Sequence, residues 1–394
     1  MNKNIVSVFC GCLIFIGSFA QTNSINELLN EIEKNNTELK AYQVFIESRR
    51  LENKSGNNLP DPKFSAYYLP FGANITSEYT EFQISQSLEF PSVYAAQGKW
   101  NDLKALQLET SYSKVRQDIL LKAKLYIIEL TILQKQKEIE TIRQDQSKQV
   151  FDQIQELFNS EQLGILDLNK AKIAWIQEQF VVEQIYTEMQ AVLALLEKLN
   201  GGNPVIIKQY VLENSIEIDA FETIWKDKIV ADPFIIELKA NEAVSLQKIK
   251  VEKNKALPNL TAGYNYQGVK GNNYSGFYGG ISIPLWNSKN KVKAAEASYR
   301  YQQTNTKVIT TTHYVNFKEQ YNRYQLLFKK YNEYQVTMKS LNSEELLFKA
   351  YMLGEFSFME YYVELQFYRK ALDKMLQMEK EIYQLKARLL KHQL

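Results

Sequence analysis

The protein has 394 residues, and its 47 Lys and Arg residues nearly balance its 45 Asp and Glu residues, giving a net charge of +2. This balance excludes the strong positive field by which proteins collect nucleic acid, so no nucleic-acid partner is expected. Both cysteines, Cys10 and Cys12, lie close to the amino terminus, so no disulfide framework is expected in the rest of the chain.

Residues 1–20 are predicted to be a secretory signal peptide. Lys3 precedes an apolar run from Ile5 to Phe19, and Ser18-Phe19-Ala20 fits a small-x-small cleavage pattern. Cleavage after Ala20 would remove both cysteines, whereas attachment of a lipid to Cys12 is the alternative left open. No later stretch reaches the roughly 18 apolar residues that a membrane-spanning helix needs, so any membrane segment is expected to consist of strands.

Long helices are predicted where glycine and proline are absent. Lys99–Leu163 and Leu285–Leu353 contain neither residue, and at about 1.5 Å per residue they could form rods of roughly 95 Å and 100 Å. Ile119, Ala123 and Tyr126 follow the spacing of a coiled-coil seam within the first rod. The other predicted helices are Ile25–Ser55, Ile165–Asn200, Pro233–Ala256 and Glu355–Leu394.

Two pairs of strands are predicted between the helices. Their bounds are Pro62–Phe71, Glu78–Phe90, Asn259–Val269 and Tyr274–Leu285. The second strand alternates an apolar set with a polar set, which is typical of a strand with one face in an apolar medium. Strands of this length approach the roughly 9 to 11 residues that cross a bilayer when tilted. Because transmembrane barrels begin at about eight strands, several chains are predicted to share one barrel.

An internal repeat divides the chain into two halves. The matching motifs are Leu59-Pro60-Asp61-Pro62 with Leu257-Pro258-Asn259, Glu89-Phe90-Pro91 with Ser282-Ile283-Pro284, and Leu163-Gly164 with Leu353-Gly354. We predict a first structural repeat over 21–200, a connector over 201–232 and a second structural repeat over 233–394. The connector begins with the helix breaker Gly201-Gly202-Asn203-Pro204.

This order of parts resembles the TolC family of outer-membrane efflux proteins over nearly all of the mature sequence. The turn motifs strengthen the resemblance, because Tyr351–Glu360 is similar to the family's Gly-Glu-x-Ser/Asp-x-x-Glu/Asp tip signature and Leu163–Leu168 forms the corresponding first turn. The resemblance implies a mainly α fold with a β-barrel part. Long antiparallel coiled-coil helices and four transmembrane strands per chain would close as a homotrimeric, 12-stranded barrel.

The resemblance also implies a role for each strand face and each turn. The polar face would line the barrel lumen, with Glu81, Gln83, Ser85, Asn265 and Gln267 as candidates, and the apolar face would meet outer-membrane lipid. The candidates at a periplasmic tip or constriction are Gly164, Asp167, Gly354, Glu355, Ser357 and Glu360. The acidic candidates either narrow the tunnel and favour cations, or act as helix caps and solvated charges. The glycines are expected to adopt positive φ at helix ends.

The function implied is a passive exit duct in the outer membrane of a Gram-negative bacterium, with a long periplasmic part. Its partners would be a periplasmic adaptor and an inner-membrane transporter of the resistance-nodulation-division (RND) class, including heavy-metal or drug pumps. The alternatives are the outer channel of a type I protein-secretion system and a periplasmic coiled-coil scaffold without a pore.

No enzyme activity, catalytic residue, cofactor or metal is expected. His313 and His392 are the only histidines, and neither a nucleophile elbow nor a phosphate loop is recognisable. Tyrosines and phenylalanines recur at helical spacing from Tyr314 to Tyr331, and we predict that they pack between helices of the tunnel wall.

Overall fold

A computed structural model describes residues 25–70, 78–206, 212, 215–269, 271–341 and 343–394. The predicted signal peptide, with Cys10 and Cys12, lies outside these residues.

Long helices make up most of the described chain, and a four-stranded sheet makes up most of the remainder, so the predicted mainly α fold class with a β part is confirmed. The helices are α1 Ile25–Asn35, α2 Thr37–Ser55, α3 Pro91–Asn159, α4 Ile165–Leu199, α5 Phe221–Ala231, α6 Pro233–Lys255, α7 Lys291–Leu341, α8 Ser343–Met352 and α9 Phe358–Leu389. A 3-10 turn, Lys391–Gln393, follows α9. The strands are β1 Lys63–Leu69, β2 Tyr79–Leu88, β3 Asn259–Val269 and β4 Asn272–Ser282. None of the helices within the described ranges is long and apolar enough to cross a membrane.

The first long helix begins earlier than predicted. It starts at Pro91 rather than Lys99 and runs through Gly98. Proline is well suited to the first helical position because that residue needs no backbone N–H donor. Glycine costs a helix about 1 kcal/mol relative to alanine, and the packing of a 69-residue helix outweighs that cost.

The predicted helix Ile25–Ser55 is two helices, because Asn36 interrupts it. The Asn36 side chain accepts a hydrogen bond from the Leu39 backbone N–H at 3.0 Å. It also donates to the Leu199 carbonyl oxygen at 2.8 Å. This buried amide therefore caps α2 and ties its start to the end of α4.

The second predicted rod also differs from the structure. Residues 285–290 form turns, so α7 starts at Lys291, and α8 covers the last part of the predicted interval. The last helix starts at Phe358 rather than Glu355, because Ser357 caps it. Helix α5 lies in the predicted connector, where no helix was predicted.

The two halves of the chain meet in the middle of the sheet. All neighbouring strands are antiparallel in the order β1-β2-β3-β4, and the central β2–β3 pair places Phe82 opposite Tyr266 and Gln83 opposite Asn265. Strands β1 and β4 form the two edges. Each pair of strands joins helices at one end and a short connection at the other, which we call the helix end and the loop end.

Aromatic residues of α7 pack against the connector helix α5, in addition to any contacts between the long helices. The Phe221 ring of α5 lies 5.6 Å from Tyr314 and 5.4 Å from Phe317, measured between ring centroids. The buried Tyr324 hydroxyl donates to the Ile216 carbonyl oxygen at 2.5 Å. These residues therefore pack between helices, as predicted, against the connector and, for Phe317 and Tyr324, in a core shared with α9; their place in a tunnel wall stays a prediction.

Candidate functional site

The five polar strand residues singled out from the sequence lie together on one face of the sheet. Residues opposite each other in an antiparallel pair point to the same side, and Glu81 is opposite Gln267 while Gln83 is opposite Asn265. Ser85 lies two residues further along β2, on the same side. We call this surface the polar face.

Hydrogen bonds fix the Glu81 carboxylate at the loop end of the polar face. The Asn265 amide donates to Glu81 Oε1 at 3.0 Å, and the Tyr79 hydroxyl donates to Glu81 Oε2 at 2.5 Å. Charge-assisted bonds of this kind are stronger than bonds between neutral groups. The carboxylate is thus held in one position on the face.

Gly263 on the polar face is required by close packing of Tyr278. A Cβ atom at Gly263 would lie 2.6 Å from the Tyr278 ring and 2.7 Å from the Ile84 carbonyl oxygen, so no larger residue fits without movement of the backbone. The Tyr278 hydroxyl in turn accepts a hydrogen bond from the Gln83 amide at 2.5 Å. Gln83, Gly263 and Tyr278 therefore form one packed unit across three strands.

The opposite face of the sheet is apolar and lies open in the single chain. Its large exposed side chains are Phe64, Tyr68, Phe82, Ile84, Leu260, Tyr264, Phe277 and Ile281. Phe277 alone exposes 91% of its surface. The described strand residues place no charged side chain on this face. An exposed apolar surface of this extent marks contact with another chain or with a membrane.

The two helical turns have the same backbone but differ in sequence. Glu161 and Gly354 each adopt positive φ, and the residue after each donates its N–H five residues back, from Gln162 to Leu157 at 2.9 Å and from Glu355 to Ala350 at 3.1 Å. This pattern is a Schellman helix ending. The positive-φ prediction is confirmed for Gly354.

For Gly164 the positive-φ prediction is wrong, because this residue has φ −84° and ψ 161° as the N-cap of α4. Ser357 has φ −69° and ψ 160° as the N-cap of α9, so Ser357 is its structural counterpart. The sequence motifs paired Gly164 with Gly354, but the residue that corresponds to Gly354 in the structure is Glu161, three residues earlier. Asp167 and Glu360 then occupy the same position, the third residue of α4 and of α9.

These two carboxylates have different surroundings. The Glu360 carboxylate accepts hydrogen bonds from the Ser357 backbone N–H at 2.9 Å and from the Ser357 hydroxyl at 2.8 Å, in a capping box. These two hydrogen bonds lower the pKa of Glu360 below its usual value, and the bond from the Ser357 backbone N–H has the larger effect. The Asp167 carboxylate is half-buried and makes no hydrogen bond or ion pair with any residue in the described part of the chain. Glu355 is exposed in the second turn.

A shared core joins the two turns into one tip. Its buried members are Val150, Ile154, Ala171, Tyr351, Tyr361 and Leu365, from α3, α4, α8 and α9. The Tyr351 and Tyr361 rings stack with centroids 4.7 Å apart, and burial raises the pKa of Tyr361 to about 12. The turns therefore cannot separate without opening this core.

Buried charges lie behind the tip core. The Arg143 guanidinium on α3 binds Glu140 at 2.6 Å, Glu344 of α8 at 2.9 Å and Asp373 of α9 at 3.2 Å. A second buried pair joins Arg369 of α9 to Glu178 of α4. In long helices full of Lys, Glu and Gln, nothing in the sequence distinguishes these charges from solvated ones.

A third buried charge cluster fixes the connector. The Lys228 ammonium lies 2.7 Å from Asp232 Oδ2, and both side chains are almost fully buried. The other Asp232 oxygen caps α6 by accepting from the Phe234 N–H at 3.0 Å, while His313 Nε2 lies 3.8 Å from Oδ2. Burial opposes ionisation of Asp232, but the contacts with His313 and Lys228 outweigh it and hold its pKa well below the usual range.

His392 approaches the connector cluster from the carboxyl-terminal turn. Burial, and then the positive charge of Lys228, lower the pKa of His392. No group of three or more His, Cys, Asp or Glu residues suited to a metal ion occurs among the residues that the structure describes. The sequence signal for this cluster was Asp232 before Pro233, a typical helix start.

Comparison with solved structures identifies the fold. CmeC, the outer-membrane channel of Campylobacter jejuni, aligns with 15% identity over 100% of this chain and 93% of its own, at a TM-score of 0.75. CusC aligns with 14% identity over 94% of this chain and 92% of its own, at a TM-score of 0.74. The MtrE outer-membrane channel of Neisseria gonorrhoeae aligns with 13% identity over 93% of this chain and 88% of its own, at a TM-score of 0.69.

No protein-family model matches the chain, and no curated protein matches it. The structural alignments nevertheless cover nearly the whole chain and nearly the whole of each channel. The chain therefore has the TolC-like fold of these outer-membrane channels, as the repeat and turn motifs predicted. CusC and CmeC align equally well, so the alignments do not assign the chain to either channel's branch of this fold.

Proposed function

We propose that the chain is the outer-membrane exit duct of a tripartite efflux system in a Gram-negative bacterium. It would conduct solutes passively, without catalysis, from the periplasm to the outside. The fold shared with outer-membrane channels supports this proposal over the full length of the chain.

The single observation that carries the proposal is the two-faced sheet with open edges. One face is polar and hydrogen-bonded, the other is apolar and exposed, and β1 and β4 lack an outer strand partner among the described strands. An unpaired edge is a template for another strand. Pairing β4 of one copy with β1 of the next would join three sheets into twelve strands, with the polar faces around a water-filled lumen and the apolar faces toward lipid.

The tip is the proposed contact with the partners. Leu166 and Leu353 expose 69% and 78% of their surfaces on the two turns, and Ile165 and Met352 beside them are exposed as well. Exposed apolar side chains grouped in this way are typical of a protein contact surface. We propose that a periplasmic adaptor covers this tip and that an RND-type inner-membrane transporter supplies the energy. The tip candidates Gly164, Asp167, Gly354, Glu355, Ser357 and Glu360 all lie on or beside these turns.

Fractionation and mass measurement test the assembly. We expect the full chain to be extracted from membranes only with detergent and to have the mass of three copies. A monomer released by salt alone would contradict the channel and would favour the scaffold alternative.

The exported solute can be assigned by growth of cells with and without the gene. Selective sensitivity to metal ions, with raised cellular metal, would place the protein in a metal exporter. Sensitivity to dyes, bile salts and antibiotics would indicate drug efflux. No sensitivity, together with a missing secreted protein, would indicate type I secretion.

A further inference from the structure

The polar face carries two charges of opposite sign. Lys63 and Glu81 are the only charged residues in the strands that the structure describes. Lys63 pairs with Ser85 and therefore lies on the same face as Glu81. Every other residue of the four strands is neutral. Just outside the strands, Asp61 and Glu89 lie at the helix end and Glu78 lies at the loop end.

The two charges lie at opposite ends of the sheet. Lys63 is the first residue of β1, at the helix end, whereas Glu81 lies two residues from Tyr79, where β2 begins at the loop end. Lys63 is level with Ser85, four residues from Glu81 along β2, so the two charges are about 14 Å apart along the strand direction. In 0.15 M salt the Debye length is about 8 Å, so each acts mainly on its own end.

The two charges also differ in how they are held. Tyr79 and Asn265 fix the Glu81 carboxylate by the two hydrogen bonds described above. The Lys63 side chain is exposed, and its ammonium group makes no hydrogen bond or ion pair with a residue that the structure describes. Low-dielectric walls focus the field of a charge that lines a cleft, and this raises the local concentration of counter-ions.

We propose that Glu81 is a selectivity-determining residue that makes the loop end of the lumen favour cationic solutes, and that Lys63 opposes it at the helix end. This inference rests on the proposed function, since it requires the polar face to line a lumen. With three copies, three Glu81 carboxylates would surround the exit. Their combined field would raise the local concentration of cations and lower that of anions.

Ion selectivity in planar bilayers tests the proposal. The full chain is reconstituted under a KCl gradient, and the reversal potential gives the ratio of K⁺ to Cl⁻ permeability. We expect Glu81→Gln to lower this ratio by about twofold or more, and Lys63→Gln to raise it. Glu78→Gln is the control for an exposed charge at the same end, because Glu78 directly precedes β2 and lies outside the alternation of the polar face. Its effect on the ratio should be clearly smaller than that of Glu81→Gln.

A second variant keeps the test decisive if Glu81→Gln does not assemble. Glu81→Cys can be modified with methanethiosulfonates of either charge, with the unaltered protein treated in parallel. The negative reagent should restore cation preference and the positive reagent should reverse it. Equal ratios for Glu81→Gln and Glu78→Gln in a conducting channel, or equal effects of the two reagents, would overturn the inference. An unaltered protein that does not conduct would instead refute the proposed function.

Discussion

Glu161 and Gly354 adopt the same left-handed backbone at the ends of the two long helical arms, with φ of 61° and 79°. Glycine adopts this conformation without strain, whereas a residue with a side chain pays roughly 1 to 2 kcal/mol. The two turns of the tip therefore have one geometry, but only the second has the residue that suits it.

We expect Gly354→Ala to destabilise the second turn by about 1 kcal/mol, because alanine resists positive φ. Hydrogen exchange of the Glu355 amide, which is bonded to Ala350, should become faster. Gly164→Ala is the control, since Gly164 has ordinary φ and open space around it, and its effect on exchange should be clearly smaller. Equal acceleration by both substitutions would contradict the assigned turn geometry.

Asp167 and Glu360 share a position but should respond differently to loss of charge. In bilayer recordings, Asp167→Asn should lower cation preference or alter conductance, because the Asp167 carboxylate has no partner among the described residues. Glu360→Gln should change selectivity less, because the Glu360 carboxylate is held against the Ser357 N–H and hydroxyl in the capping box, where the helix start already offsets part of its charge. A larger shift for Glu360→Gln than for Asp167→Asn would remove Asp167 from the constriction.

The Arg369–Glu178 pair should couple α9 to α4. Arg369→Met would leave a buried carboxylate unpaired, and we expect a loss of about 3 to 5 kcal/mol in the free energy of unfolding. The double variant Arg369→Met with Glu178→Met should be less destabilised than Arg369→Met alone, because no unpaired charge remains. Urea unfolding in detergent measures Arg369→Met, Glu178→Met and the double variant, and simple additivity of the two single effects would show that the residues do not interact.

His392 should make stability depend on pH. Burial and the charge of Lys228 lower its pKa from the usual 6.5, so the folded protein binds this proton less tightly than the unfolded chain. The contribution of His392 to stability is therefore full above the usual histidine pKa and falls as the pH drops below it.

The thermal midpoint of the unaltered protein should decrease between about pH 8 and about pH 5.5, and His392→Gln should flatten that decrease. Asp232 has a lowered pKa, so its own contribution should be lost only below the usual aspartate value of 3.8. The same slope in both proteins would show that His392 does not titrate in this way.

The strands were the most predictable part of the fold. Apolar and polar residues alternate with period two around Phe82 and Gln83, and only an extended strand places such residues on two separate faces. Strands β2 and β3 pair in a register that keeps the apolar and polar faces separate. The start of α9 was less predictable. The predicted start, Glu355, was placed where glycine and proline are absent, whereas the capping box of Ser357 and Glu360 starts the helix at Phe358.

The buried charges could not be predicted, for a physical reason. Arg143, Glu178 and Arg369 lie in helices whose surface is filled with similar residues, and only the packing of α3, α4, α8 and α9 decides which charges are covered. Asn36 is a comparable case, because its capping bond is local but its bond to Leu199 depends on the tertiary fold. The residue that adopts positive φ also depends on the geometry of the turn. In the first turn it is Glu161, whereas Gly164, the expected residue, is the N-cap of α4.

Single-channel recording tests the central claim most directly. The full-length protein, purified in detergent and shown by circular dichroism to be largely helical, is added to a planar lipid bilayer. We predict discrete conductance steps for the unaltered protein. The steps should vanish in the variant Tyr67→Pro, because proline in the edge strand β1 cannot donate a backbone hydrogen bond to a neighbouring strand. A folded, trimeric protein that inserts without any conductance would contradict the channel.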